Sequence, residues 1–202
     1  MPVTFAITWD YRCPFARNMH EHVLTGLAAG AEWDVRFLPF SLGQVHVAEG
    51  EPSVWEKPEQ DSGIVALQAG VVVRDDYPDQ FPAVHRDLFA ARHDDGLHLE
   101  DRTVVAAVLS SHGVPADAVL ARIDSGAALA AVRTEHEQYA ASHSVWGVPT
   151  VIVGDQAVFI RLMTRAPVGA DPAASISAVE RLVDLTGGWA DLNEFKHTSI
   201  PR

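Results

Sequence analysis

The sequence predicts an α/β protein whose central mixed sheet is split by a helical insertion. Three observations carry that expectation. The first 40 residues read as strand, helix, strand; about 80 residues then show helical patterning with no clear strand; and a strand–turn–strand signal from Thr150 to Ile160 precedes a last helix.

Val3–Trp9 (VTFAITW) is short, β-branched and aromatic, the pattern of a buried strand. Phe15 to Ala29 follows as a helix, because Phe15, Met19, Val23 and Leu27 recur every four residues and Leu24 widens the stripe. Gly30 is its expected stop. Trp33–Phe40 alternates as a second strand with Arg36 on its polar side, and the connection between the two should be right-handed. Ser41 to Pro58 reads as loop, punctuated by Gly43, Gly50, Pro52 and Pro58. Helices are expected at 64–73, 83–92, 101–111, 115–123 (with Pro115 as first residue) and 127–143. Thr150–Val153, the Gly154-Asp155 turn and Gln156–Ile160 form a hairpin signal, since that pair tolerates the positive φ of a two-residue turn. The final helix is expected from Pro172 to Leu185, stopped by Gly187-Gly188. This βαβ–helices–ββα order is the layout of a thioredoxin-like sheet with an inserted helical subdomain.

The 202-residue chain carries 15 basic and 27 acidic residues, a net charge of −12. Phosphate contacts need clustered Lys and Arg, so this balance argues against nucleic acid and anionic membranes as partners. No apolar run approaches the roughly 20 residues of a membrane span. Asp10 and Arg12 interrupt the N-terminal apolar stretch too early for a secretory signal, so the expected location is cytoplasmic. Length alone predicts one domain, 1–202: a first sheet half at 1–58, the helical insertion at 59–143, a second half at 144–188 and an irregular C-terminal arm at 189–202.

Cys13 is the one cysteine, which excludes an intramolecular disulfide and an all-cysteine metal site. A lone cysteine is ordinarily a small buried hydrophobe. Its position argues for more. Cys13 stands at the strand-to-helix junction, and Pro14 suits the first helical residue, so Cys13 falls at or near the N-cap. A helix start presents unpaired N–H groups and partial positive charge, which stabilises a thiolate by about 0.3–1 kcal/mol, up to about 2 in a partly buried site. At about 1.36 kcal/mol per pH unit, a thiol pKa of about 8.5 would fall toward about 7. Arg12 and Arg17 would add to this if their side chains reach back. The second feature is Trp146-Gly-Val-Pro149-Thr150, just before the returning strand. It marks a turn, cis or trans at Pro149, that a split sheet would place opposite the first helix start. The extended backbone at Val148 would then pair with a bound peptide or thiol in β fashion.

Together, Cys-Pro at the first helix, the helical insertion and Gly-Val-Pro-Thr before a hairpin resemble the DsbA family of thioredoxin-fold proteins, over roughly Val3 to Leu185. Within it, Trp9-Asp-Tyr-Arg-Cys-Pro-Phe15, Ser41-Leu42 and the tail Asn193-Glu-Phe-Lys196 are similar to an actinobacterial branch of mycothiol-dependent oxidoreductases, nitroreductase-like proteins among them. The resemblance implies that Cys13 is the nucleophile and Pro149 a cis-proline packed against it. One departure stands out: the family pattern Cys-Pro-x-Cys is here Cys-Pro-Phe-Ala, ending at Ala16. Disulfide exchange needs a second thiolate, so a mixed disulfide on Cys13 must be resolved by an external low-molecular-weight thiol, mycothiol or glutathione. The expected partner is a small thiol or disulfide, with monomer and homodimer both open and no metal.

Other residues carry weaker signals. His20 and His22 lie two apart on a helix and point to different sides, so they are expected on solvated surface. His46 follows the second strand, where the thiol pocket is lined in such folds, although surface is the simpler reading. Tyr11 either contacts substrate or caps the core. Trp9 and Phe15 either pack or, with Pro14, line the thiol site, Phe15 from the dipeptide position after the cysteine, and Trp55 with Trp146 could form an aromatic wall. Asp75-Asp76 and Asp94-Asp95 read as exposed acidic pairs. No dinucleotide, P-loop, hydrolase-elbow or zinc-protease motif is present. Two further functional readings share the fold. In one the protein is similar to kappa-type glutathione transferases and chromene-carboxylate isomerases, where the helix-start residue, usually Ser, activates a bound thiol and is not modified. In the other it is a non-catalytic binding protein that kept the groove.

Overall fold

The computed structural model describes residues 2–166, 169–191 and 194. Four strands form one mixed sheet in the order β2-β1-β3-β4. β1 (Val3–Trp9) runs parallel to β2 (Trp33–Pro39), with Val3 opposite Trp33 and Trp9 opposite Pro39. β3 (Thr150–Val153) is antiparallel to β1, and β4 (Gln156–Phe159) folds back on β3 through the Gly154-Asp155 turn. β1 is central, so Phe5 to Trp9 are buried on both faces, as a continuous apolar run requires.

α1 (Pro14–Ala28) connects β1 to β2 and ends where Gly30 takes a φ of 84°. Between β2 and β3 come α2 (Leu42–Val45), a 3₁₀ turn at Pro58–Gln60, then α3 (Ile64–Asp76), α4 (Phe81–His93), α5 (Arg102–Ser111), α6 (Ala116–Asp124) and α7 (Ala127–His143). α8 (Pro172–Gly188) follows the hairpin. The expected α/β architecture is therefore the observed one.

Several local expectations are corrected. The 41–58 segment is not all loop: Ser41 caps α2, its hydroxyl accepting from Gln44 N at 3.2 Å. Pro115 is the N-cap of α6 and not its first residue. Gly187-Gly188 do not stop α8, which runs through both to Trp189. Gly187 instead lets the helix approach β3, since a Cβ there would lie 2.8 Å from Val153 Cγ1. Of the expected arm at 189–202, residues 192, 193 and 195–202, including Asn193 and Lys196, lie outside the described residues.

The largest correction concerns α1. α4 packs on one flank and α8 on another, so Arg17, Asn18, His20 and Glu21 are all buried. His20 is a core residue, not a surface one; His22 is half-buried, bonded to Ser175 Oγ at 3.0 Å and Thr164 O at 3.3 Å. His20 Nε2 lies 3.1 Å from Thr8 O, its Nδ1 lies 2.8 Å from His85 Nε2, and His85 Nδ1 lies 2.8 Å from the Tyr11 hydroxyl. This chain of bonds crosses the aromatic core formed by Trp9, Phe37, Phe81 and Phe89.

Gly70 of α3 abuts that chain. A Cβ at Gly70 would stand 2.4 Å from the Tyr11 hydroxyl, which His85 holds in place. Alanine ordinarily favours a helix interior over glycine by about 1 kcal/mol. Here the overpacked contact reverses the sign, and Gly70→Ala is expected to cost about 2 kcal/mol in urea denaturation. A variant as stable as the parent would refute the tight packing of Tyr11 on α3.

Candidate active site

β1 ends at Trp9 and delivers Asp10 into the turn ahead of α1. Asp10 is fully buried. Its Oδ1 accepts from Arg12 N at 2.9 Å and Arg12 Nε at 3.0 Å; its Oδ2 accepts from Arg12 Nη2 at 2.7 Å and Leu42 N at 2.8 Å. Arg12 Nη1 reaches on to Asp61 Oδ2 at 2.9 Å, just before α3. Cys13 N donates to Asp10 O at 3.0 Å. The turn is thus clamped to α2 and to the α3 entrance before the cysteine is reached.

Cys13 is the N-cap of α1, with extended backbone (φ −90°, ψ 115°) and Pro14 as first helical residue. Its Sγ accepts from Ala16 N at 3.4 Å, and the S–H donates to Val148 O at 3.2 Å. The Val148–Pro149 peptide is cis. Its loop is tied to β1 through Thr8: Thr150 N donates to Thr8 Oγ1 at 2.8 Å, and the hydroxyls of Thr8 and Thr150 donate to Gly147 O at 3.4 and 2.8 Å. The sulfur lies where the helix start meets this loop, so Cys13, Pro14, Val148 and Pro149 form one site.

Residues 6–173 match the family model of the DSBA-like thioredoxin domain. The chain belongs to that family. No curated protein matches it significantly. Among solved structures, the oxidised BdbD from Bacillus subtilis is 14% identical with a TM-score of 0.61, covering 90% of this chain and 87% of that one. The oxidoreductase NmDsbA1 from N. meningitidis is 16% identical with a TM-score of 0.59, covering 92% and 83%. A 2-hydroxychromene-2-carboxylate isomerase is 19% identical with a TM-score of 0.62, covering 90% and 96%. These likenesses establish the fold.

Electrostatics at the cysteine of this DSBA-like domain overturn one expectation. Only 8% of Cys13 is exposed, and burial pushes the thiol pKa above its ordinary value. The N–H groups of Ala16 and Phe15 and the charge of Arg161 pull it down, while Asp10 pushes it up. Desolvation outweighs the helix start, so the resting group is a neutral thiol bonded to Val148 O, not a standing thiolate. Nor do Arg12 and Arg17 reach back. Arg12 is committed to Asp10 and Asp61, and Arg17 to Glu21 at 3.0 Å and to Asp94. Asp75 and Asp94 are exposed, as expected, and both are ion-paired, Asp75 to Arg74 and Asp94 also to Arg165 at 3.1 Å.

The remaining expected site residues divide. Phe15 is half-buried beside the thiol, and Trp146 is 63% exposed, its ring tilted against that of Phe159 with centres 4.6 Å apart. Tyr11 and Trp9 do not line the site: both are fully buried, and the Tyr11 hydroxyl is spent on His85. His46 is an exposed residue closing α2. Trp55 packs on His136 at 5.4 Å, and among the described residues no ring contact joins it to Trp146, so the expected wall is not formed by that pair. Sequence reasoning passed over Asp10, Thr8 and Arg161. The hairpin register held a signal for the last: Phe159 pairs with Thr150 and Ile160 N donates to Pro149 O, which returns Arg161 to the level of Cys13. Among the described residues, no group of three His, Cys, Asp or Glu side chains is placed to hold a metal, and no helix is long and apolar enough to cross a membrane.

Proposed function

We propose that this protein is a single-cysteine thiol transferase of the DSBA-like family, acting in the cytoplasm on small disulfides with a low-molecular-weight thiol of the mycothiol or glutathione type as co-substrate. The observation that carries the reading is the position of Cys13 Sγ, 3.4 Å from Ala16 N and 3.2 Å from Val148 O. Cys13 first gives its proton to solvent. The thiolate, stabilised by the Ala16 and Phe15 N–H groups, attacks one sulfur of a disulfide R–S–S–R; the S–S bond breaks and RS⁻ leaves. Once the S–H is lost, Val148 O is free to accept a hydrogen bond from the attached group. Because the fourth residue of the motif is the buried Ala16, release needs an external thiolate R′S⁻, which attacks the mixed disulfide and frees Cys13 with R–S–S–R′ as product. The similarity of Trp9–Phe15 and Ser41-Leu42 to mycothiol-dependent proteins favours a sugar thiol as the resolving partner.

The neutral state of Cys13 favours a second reading, one in line with the fold shared with the chromene-carboxylate isomerase. There the Cys13 S–H would donate to the sulfur of a bound thiol and remain unmodified.

Incubation with oxidised glutathione followed by intact-mass measurement decides between them. One glutathione per chain is expected, removed by excess reduced thiol and absent from Cys13→Ser. Its rate of formation should keep climbing with pH beyond the point where an ordinary thiol levels off, because burial raises the thiol pKa. No mass gain would overturn the transferase; a retained but unattached thiol would support the second reading.

A further inference from the structure

Arg161 follows β4 closely and is exposed. Its guanidinium carbon stands 4.9 Å from the Phe15 ring centre and 5.8 Å from that of Phe159. Phe159 in turn lies against the exposed Trp146, the two rings tilted by 36°. Phe15 lies two residues after Cys13, and Trp146 two residues before Val148. One cation and three rings therefore form a connected cluster anchored on both sides of the Cys13–Val148 contact, and the charge of Arg161 is felt at Cys13.

Arg161 differs from the other arginines around this site. Arg12, Arg17 and Arg165 are each held by two carboxylates, whereas among the described residues no carboxylate lies within ion-pair distance of Arg161. Beside the reacting group, an arginine that no described carboxylate holds keeps its charge uncommitted in a chain of net charge −12. A guanidinium resting on aromatic rings keeps its planar N–H edge available, and that edge matches a carboxylate with two parallel hydrogen bonds.

We propose that Arg161 is the specificity residue of the Cys13 site and selects small disulfides that carry a carboxylate, holding the acid group on its N–H edge while the disulfide lies against Cys13. The proposal rests on the disulfide-exchange reading above and names its substrate class. It concerns the molecule attacked by Cys13, so the resolving thiol need not be acidic.

The test compares oxidised glutathione, neutral 2-hydroxyethyl disulfide and cationic cystamine as probes. Adduct formation on Cys13 is followed by intact mass at one pH, in the parent protein, Arg161→Ala and Arg161→Glu. Ratios between probes cancel any change in thiol acidity. The glutathione-to-hydroxyethyl ratio is expected to fall about tenfold in Arg161→Ala, a charge-assisted pair partly screened by solvent, and further in Arg161→Glu. In Arg161→Glu the preference for cystamine should rise. Ratios equal to the parent's overturn the proposal. A second arm titrates S-methylglutathione, which keeps both carboxylates but cannot exchange, by tryptophan fluorescence. Weaker binding to Arg161→Ala supports the assignment; no binding to the parent, or unchanged affinity, overturns it. This arm reads even where no probe modifies Cys13, a result that would defeat the exchange reading alone.

Discussion

Replacing Asp10 with alanine is expected to destabilise the protein by about 3 kcal/mol, through the buried guanidinium it leaves short of a partner. Asp10 is fully buried and accepts four hydrogen bonds, three from Arg12 and one from Leu42 N. Burial opposes the charge on Arg12, and the bonds to Asp10 and Asp61 more than restore it, holding its pKa above the ordinary value. Without Asp10, Arg12 keeps only Asp61, and the Leu42 N–H at the start of α2 loses its acceptor. The retained Asp61 pair and the residual exposure of Arg12 set the estimate at the low end for a broken buried pair. Asp10→Asn keeps the shape and one acceptor, so about half the loss is expected. The same carboxylate raises the Cys13 pKa, so Asp10→Asn should also react faster with iodoacetamide per folded molecule at neutral pH. Urea denaturation and alkylation rates read the two effects separately. A loss below about 1 kcal/mol in Asp10→Ala would mean that water replaces the clamp.

That pairing of effects explains which parts of the molecule were legible beforehand. β1, the hairpin and the helix after Cys13 carry local signals: a β-branched run, a Gly-Asp turn, a proline at the first helical position. Those signals need no knowledge of distant residues, and the elements lie where they indicate. The N-cap position of Cys13 was legible for the same reason. Its acidity was not, because the burial that governs it comes from the Val148 loop, 135 residues along the chain. His20 failed in the same way. Spacing of two on a helix separates side chains, but whether either meets solvent depends on α4 and α8, which cover α1 from segments far along the chain. Asp10 was visible in the Asp-Tyr-Arg-Cys phrase, yet its partners Leu42 and Asp61 are contributed by the segment after β2. Arg161 becomes conspicuous only once the strand register returns it to the mouth of the site.

Acid should weaken the fold steeply between pH 6.5 and 4, and the cause lies in the core under the site. Thr8 O is an acceptor only, so His20 Nε2 carries a hydrogen and its Nδ1 is a bare acceptor for His85 Nε2–H. His85 Nδ1 is then bare in turn and accepts from the Tyr11 hydroxyl. Every tautomer follows from the one carbonyl, and both rings are neutral. Burial pushes the His20 pKa down to about 4 and that of His85 well below its ordinary value, helped for His85 by the charge that His20 would carry once protonated and by Arg86. The unfolded chain protonates both near pH 6.5, while the folded chain does not. It is therefore the unfolded state that gains protons as the pH falls, and stability declines through this window. Each proton taken up only on unfolding adds a linkage slope of roughly 1 kcal/mol per pH unit, so the two histidines together contribute on the order of 2–3 kcal/mol per pH unit near pH 5. His136, pushed down to about 4 by burial, adds in the same direction; Asp94, whose bond to Arg17 lowers its pKa, adds only at lower pH, where the unfolded carboxylate takes up its proton. Glutamine isolates the pair: its amide nitrogen and oxygen can donate and accept where the imidazole does, without titrating. The double variant His20→Gln/His85→Gln is expected to lose roughly 2–3 kcal/mol per pH unit of acid sensitivity near pH 5 in urea denaturation, while His136 keeps its share. Parallel stability curves for the parent and the double variant would show that these histidines carry protons in the folded core, and the bond order from Tyr11 to Thr8 would then be wrong.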